Sequence, residues 1–419
     1  MNLDRSSSKG TDSRAGVVVG IVLLGLAALG WAATLGNLVS LDWKAGNMRP
    51  VAYGLLVALT VLALASILGR RWVSRAWVRL FPTRKRLVFA CVALAASVSL
   101  TLLALEVALR IVHKPFAESW EPQESARAQF DPEIGWTYRP NQSAWVDFVG
   151  GQPSVLVNHN EIGARVRSEG LRFDEEAPTL ILVGCSYTMG FGLPYEETFA
   201  GYLESLPGFP LQVVNLGVEG YGTDQSMLIL KRYFDSFNTK AVVFTYSEGQ
   251  NDRNLNYDRR ILYGDARFVG TKPLFGLHRD GSVYLRKKPI LYEDLSYSRV
   301  WAYIQIAWQR RGPKPTFDLT RALVEEMREY AEARGATFIV VDWDWIYTDY
   351  VGAPPPFEGM DIHLIDTGDN APPKWGKWNS KWRLPNDSHP SAVSALRVGE
   401  LICQELMDLG LIGPDDCAR

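Results

Sequence analysis

Thr179-Leu180-Ile181-Leu182-Val183-Gly184-Cys185-Ser186 is the stretch on which the fold turns. Its apolar part is short, lacks polar alternation and ends in glycine, as expected of a strand buried on both faces of a parallel sheet. Reading outward, Gln212–Leu216, Ala241–Tyr246 and Thr337–Val341 repeat the pattern. Between them lie helix-like segments, Glu196–Leu206, Asp224–Phe234 and Leu319–Ala333. A last amphipathic segment runs from Pro390 to Leu409, with Pro390 expected at the first helical position, where a missing N–H does no harm. Strand–helix alternation of this kind predicts an α/β layered domain.

The residues ahead of this region differ in kind. The chain has 419 residues, a formal net charge of −2 and 47% hydrophobic content, a balance that argues against a nucleic-acid partner. The first quarter is almost free of acids and rich in Leu, Val and Ala. Three stretches there are apolar for about the 20 residues a bilayer-spanning helix needs: Gly16–Leu41, Pro50–Gly69, and Leu87 to Leu105, after which Glu106 interrupts. A cleavable signal peptide explains one such run, not three. The tail carries Arg5, Lys9 and Arg14, and the loop between the second and third spans carries Arg70, Arg71, Arg75, Arg79, Arg84, Lys85 and Arg86. Positive charge marks the cytoplasmic side, so the expected topology has three spans, a cytoplasmic N-terminus and everything after Lys114 on the periplasmic or extracellular side.

The expected domains are a membrane anchor over 1–113, a linker and accessory segment over 114–177, and a main α/β domain over 178–419. The accessory segment has weak periodicity and turn formers such as Arg139-Pro140-Asn141, and is expected to form irregular structure or short strands. Two long insertions interrupt the main domain, at 253–315 and 343–385. The first contains Asp280-Gly281, a tight-hairpin signal. The second holds Trp343, Trp345, Tyr347, Tyr350, Trp375, Trp378 and Trp382, whose faces suit sugar C–H surfaces or, equally, a small core beneath a loop. Of the four cysteines, Cys91 lies in an apolar run, and none forms a CxxC pair, so neither a metal site nor another cofactor is expected. Cys403 and Cys417 either pair, if exported, or stand as separate thiols.

Ligands of open parallel sheets bind beyond the carboxyl ends of the strands. There the chain places Gly184-Cys185-Ser186, then Gly217-Val218-Glu219-Gly220, then Gly249-Gln250-Asn251-Asp252, and near the end Asp387-Ser388-His389-Pro390. These are the parts of an acyl-transfer site. A serine hydroxyl needs a base to take its proton, and His389 is a candidate, with Asp387 orienting it. Residues two apart in extended backbone project to one side, and Pro390 biases His389 towards that geometry. The backbone N–H groups of Ser186 and Gly220 and the side-chain amide of Asn251 are candidate donors to a developing oxyanion. Each element alone is common; the ordered set is specific. His113, His159, His278 and His363 have no comparable setting.

The ordered blocks resemble those of the SGNH/GDSL-type serine hydrolases. Gly184 and Ser186, Gly220, then Gly249, Asn251 and Asp252, and finally Asp387 and His389 match in turn. The resemblance implies a flavodoxin-like three-layer α/β/α sandwich with a parallel sheet over Pro178 to the C-terminus. It also implies Ser186 as nucleophile, Ser186, Gly220 and Asn251 as the oxyanion hole, and Asp387 and His389 as the rest of the triad. Cys185 departs from the family's usual Asp, and the Asp–His spacing is one residue shorter than the commoner form, which puts Asn386 at the usual place. The activity implied is that of a serine esterase or O-acyl transferase. A membrane-anchored location points to envelope or exported carbohydrate as substrate. A lipid ester is the next candidate, and a catalytically silent binding or assembly module is the non-enzymatic reading. Transfer, as opposed to hydrolysis, implies a separate acyl-donor membrane protein as partner.

Overall fold

The computed structural model describes residues 83–112, 127–148, 153–247, 249–257, 270–291, 298, 300–301, 317–343, 356–367, 382–385, 387 and 389–417. The N-terminal tail, the stretches Gly16–Leu41 and Pro50–Gly69, most of the Arg-rich loop, and Trp345, Tyr347, Tyr350, Trp375 and Trp378 lie outside the described residues. The chain divides into two compact units: residues 1–113 with 297–312, and 114–296 with 313–419.

In the first unit a single helix, α1, spans Thr83–Val112. Its segment Cys91–Leu109 has a mean hydropathy of 2.1 and is long and apolar enough to cross a membrane, the one such helix among the described residues against three expected stretches. Val88, Leu100 and Leu103 on this helix are each at least 60% exposed. Glu106 does not end the helix. Its carboxylate accepts hydrogen bonds from the Ser298 hydroxyl (2.9 Å) and the Val300 N–H (3.0 Å), so its charge has donors within this unit. The insertion over 253–315 therefore contributes to both units.

The second unit is built on an eight-stranded sheet. A small hairpin comes first, β1 (Ala128–Asp131) with β2 (Gly135–Tyr138). The sheet comprises β3 (Gln142–Val146), β4 (Val155–His159), β5 (Arg165–Val166), β6 (Pro178–Gly184), β7 (Gln212–Asn215), β8 (Asn238–Tyr246), β11 (Thr337–Asp342) and β12 (His363–Asp366), with a separate hairpin of β9 (Leu274–Leu277) and β10 (Val283–Lys287) inserted between β8 and β11. Its order is β12-β11-β8-β6-β7-β5-β4-β3. The first five in this order run parallel. In chain order they read 5-4-3-1-2, the flavodoxin-like arrangement with its switch point between β6 and β8. Burial explains their composition: Leu180 to Val183, Ala241 to Phe244 and Phe338 to Val341 are 0% exposed, and two covered faces leave no place for alternation.

The remaining three strands correct the expectation of a wholly parallel sheet. β5, β4 and β3 continue it antiparallel beyond β7, so the sheet is mixed and mostly parallel. They come from the accessory segment, which is thus continuous with the main sheet.

The helices of this unit are α2 (Ser186–Met189), α3 (Phe199–Ser205), α4 (Thr223–Tyr233), α5 (Gly249–Asn254), α6 (Asp318–Glu332) and α7 (Ala392–Asp408). α4 packs with α6, and α3 packs with α7. Crossovers between parallel strands are right-handed as a rule, and in this strand order that hand places the two pairs on opposite faces of the sheet. α6 shows the cause of packing plainly: Leu319, Leu323, Val324, Met327 and Ala331 form one buried stripe. At the start of α7 the structure corrects the sequence. Ser391 is the N-cap, accepting the Ser394 N–H, and Pro390 stands one residue earlier, bridged to Arg383. Asp280-Gly281 forms the turn of the β9–β10 hairpin, where Gly281 donates to the His278 carbonyl. Cys403 and Cys417 are joined in a disulfide, with Cα atoms 6.0 Å apart.

Candidate active site

Ser186 is the first residue of α2, directly beyond the end of β6. The N–H of a first helical residue has no carbonyl one turn back to accept it. Its side chain faces His389, with Oγ 2.8 Å from Nε2. On the other side of the ring Nδ1 lies 2.5 Å from Asp387 Oδ1. A proton on Nδ1, shared with that carboxylate, leaves Nε2 as the acceptor for the serine hydroxyl, which is the tautomer a general base needs. The short Asp–His spacing has a local explanation. Asp387 Oδ1 also accepts the backbone N–H of His389 at 2.8 Å, closing a turn in which a carboxylate bonds the residue two places on. Leu384 in turn binds both ends of this turn, through its N–H to the His389 carbonyl (2.9 Å) and its carbonyl to the Asp387 N–H (3.1 Å).

Asn251 lies in α5, just past β8, the parallel neighbour of β6. Its orientation is dictated by a chain of buried amides and hydroxyls. The Asn254 carbonyl oxygen accepts the N–H groups of Thr223 and Asp224, so its Nδ2 donates to Thr320 Oγ1 (2.9 Å). Thr320, having accepted there, gives its proton to Asn251 Oδ1 (2.7 Å). Asn251 is left with a buried Nδ2 that has no acceptor among the described residues. A buried donor without a partner costs about 1–3 kcal/mol, and native proteins keep few of them.

Gly220 has φ 76°, a conformation favouring glycine, in the loop after β7. The loop lies close against α2: a Cβ on Gly217 would come within 2.4 Å of the Met189 nitrogen. Asn215 ties the two together, its Nδ2 donating to the Thr188 carbonyl and its Oδ1 accepting the Gly217 N–H.

Cys185, the departure from the family pattern, is fully buried beneath the site. Its Sγ lies 3.6 Å from Ser247 Oγ. Burial pushes the thiol's pKa up, but the charge of Arg253 and hydrogen bonds from the Tyr187 N–H, Gln250 and Ser247 outweigh it and hold it below its ordinary value. His389 reaches Ser186 and not this thiol.

Several supporting residues carry no sequence signal. Arg165, fully buried on β5, donates to the carbonyls of Met189 (2.6 Å), Gly190 (2.6 Å) and Leu193 (2.5 Å), the turn that follows α2. Burial lowers its pKa to about 10. The loop after β7 is held by the β1–β2 hairpin and the residue before it: the Glu219 N–H donates to Tyr138 Oη (3.2 Å), its carbonyl accepts from Trp136 Nε1 (3.1 Å), and its carboxylate pairs with Arg127 (3.2 Å). Phe191 stacks on the His389 ring with centroids 3.9 Å apart. From the aromatic insertion, Trp343 is 1% exposed and packs edge-on to Tyr187, a core contact and no sugar platform. Of the other histidines, His159 is buried against Tyr138, His278 lies by Tyr284, and His363 Nδ1 is 3.6 Å from Glu405; His113 lies outside the described residues.

The second unit is thus a mixed α/β domain with a hydrogen-bonded Ser–His–Asp relay at the switch point of its parallel strands. No protein-family model and no curated protein matches the chain. Among solved structures it is similar to a lipolytic protein of the G-D-S-L family from Desulfitobacterium hafniense DCB-2, at 12% identity and a TM-score of 0.32, covering 56% of this chain and 100% of that one. It is also similar to TesA, at 13% identity and a TM-score of 0.30, covering 55% of this chain and 99% of that one.

Proposed function

We propose that the protein is a membrane-anchored serine esterase or O-acyl transferase of the SGNH type that works through an acyl-serine intermediate. The relay Ser186–His389–Asp387 carries this reading. His389 takes the hydroxyl proton as Ser186 attacks the ester carbonyl; Asp387 stabilises the imidazolium; the N–H groups of Ser186 and Gly220 and Nδ2 of Asn251 receive the oxyanion. The proton then passes to the leaving alcohol. Water resolves the acyl-enzyme in a hydrolase, a sugar hydroxyl in a transferase, with a separate membrane protein supplying the acyl donor.

The apolar segment Cys91–Leu109 supports anchoring in a bilayer. The Cys403–Cys417 disulfide supports an oxidising, non-cytoplasmic location for the second unit, in keeping with the three-span topology argued from charge. That location favours envelope or exported carbohydrate as substrate. The full chain in detergent is expected to hydrolyse p-nitrophenyl acetate and to react with a fluorophosphonate. Ser186→Ala should abolish both. Hydrolysis undiminished in that variant overturns the serine mechanism, and wild-type protein inert to both reagents favours a silent binding or assembly module. An acetyl-release screen over candidate glycans then tests the substrate class.

A further inference from the structure

We infer that Phe191 is a positioning residue for the base of the relay, held over the face of the His389 imidazole by the buried guanidinium of Arg165. The inference rests on the serine mechanism proposed above and assigns a role to residues outside the triad.

The two rings are 3.9 Å apart and inclined by only 19°, a face-to-face contact. Phe148 meets Phe191 edge-on at 4.5 Å, so the phenyl ring has an aromatic neighbour of its own. Its backbone is pinned on both sides. Arg165 binds the carbonyls of Met189 and Gly190 just before Phe191 and that of Leu193 just after it. The Phe191 N–H donates to the Ser186 carbonyl at 3.0 Å, so the residue that carries the hydroxyl also anchors the residue that covers the base. One rigid turn thus sets both the nucleophile and the ring plane of the imidazole.

The chemical consequence follows from where the contact lies. The polar edges of His389 are engaged by Ser186 and Asp387. The faces carry no donors, so covering one removes little hydration. When His389 takes the serine proton, the cation forms over an aromatic face, an attractive contact in that state. Two other described titratable groups adjoin the ring: Asp387, whose carboxylate acts the same way, and Tyr187, whose ring lies edge-on at 5.4 Å. Cys185, on the same turn as Ser186, contacts Ser247 instead.

The test uses the full chain in detergent and the rate of fluorophosphonate labelling. Phe191→Leu keeps apolar bulk and removes the aromatic face; Phe191→Tyr keeps the face. Phe191→Leu is expected to label about tenfold more slowly, because an imidazole whose ring plane is not held spends less time aligned with Ser186. Phe191→Tyr should recover the wild-type rate. No recovery in Phe191→Tyr overturns the inference, as does a Phe191→Leu protein indistinguishable from wild type. Thermal melts of both variants check that the fold is intact. If Phe191→Leu does not fold, Arg165→Lys, which keeps the charge but not the three-carbonyl grip, should slow labelling, and undiminished labelling there overturns the inference as well. These failures differ from failure of the serine mechanism, which shows as labelling that survives Ser186→Ala.

Discussion

Replacing Asn251 with Ala separates what this side chain does for the fold from what it does for the reaction. Two terms bear on stability and oppose one another. Ala removes the acceptor of the Thr320 hydroxyl, a buried hydrogen bond of 2.7 Å, at a cost of about 1 kcal/mol. It also removes a buried Nδ2 with no acceptor among the described residues, relieving about 1–3 kcal/mol. The net change in stability should therefore stay within about 2 kcal/mol of zero. The effect on rate has no such offset. Losing one preorganised oxyanion donor raises the barrier by about 3–4 kcal/mol, a drop of about 10²–10³ in kcat. The assay pairs steady-state hydrolysis of p-nitrophenyl acetate with thermal melting of the same sample. A rate within threefold of wild type would show that the orphaned amide does not serve the transition state. A large rate loss accompanied by collapse of the melting temperature would show that Asn251 is a structural residue and that the two-term estimate is wrong.

Two further outcomes follow. Burial, with help from the charges of Arg127 and Arg165, lowers the pKa of His159 to about 3, against 6.5 when unfolded; the unfolded chain therefore binds a proton that the native one refuses, and stability should fall as pH drops from about 6.5 to about 3, by at most about 1.4 kcal/mol per unit. Melting curves across that range should be flatter for His159→Gln. The Cys403–Cys417 bond closes a separation of 14 residues, worth about 3 kcal/mol, so Cys417→Ser should melt several degrees lower and lose its sensitivity to reductant, while a wild type unaffected by reductant would refute the estimate.

Some of this architecture is written locally and some is not. The central strands are legible because both their faces are covered, which leaves an uninterrupted apolar run ending at a strand-end residue with chemistry to offer. Ser186 and Asn251 could be picked out for that reason, and His389 because Asp387 stands two residues before it. The antiparallel strands could not: β5 is two residues long, and β3 is half-exposed with a Trp at 64%, so neither shows a period. Arg165 reads as an ordinary charged residue between turn formers, and only the tertiary fold discloses that its guanidinium is fully buried among carbonyls. Phe191 reads as a core aromatic. At α7 two signals compete: Pro390 suits a first helical position, but Ser391 is the stronger N-cap, and a bridge to Arg383 already holds Pro390 in extended backbone. The Asp–His spacing looked irregular because the turn that makes it work uses a side-chain oxygen, which spacing alone does not display.

The grip of Arg165 on the Met189–Leu193 turn has a bearing on where the working part of the chain begins. A fragment trimmed to start at Pro178 would keep every residue of the four motif blocks. It would nonetheless leave three carbonyls close to Ser186 without their donor, and the glycine loop without Trp136 and Tyr138. The smallest segment that keeps these contacts is therefore longer than the smallest segment that can be recognised, and it reaches back at least as far as the first hairpin.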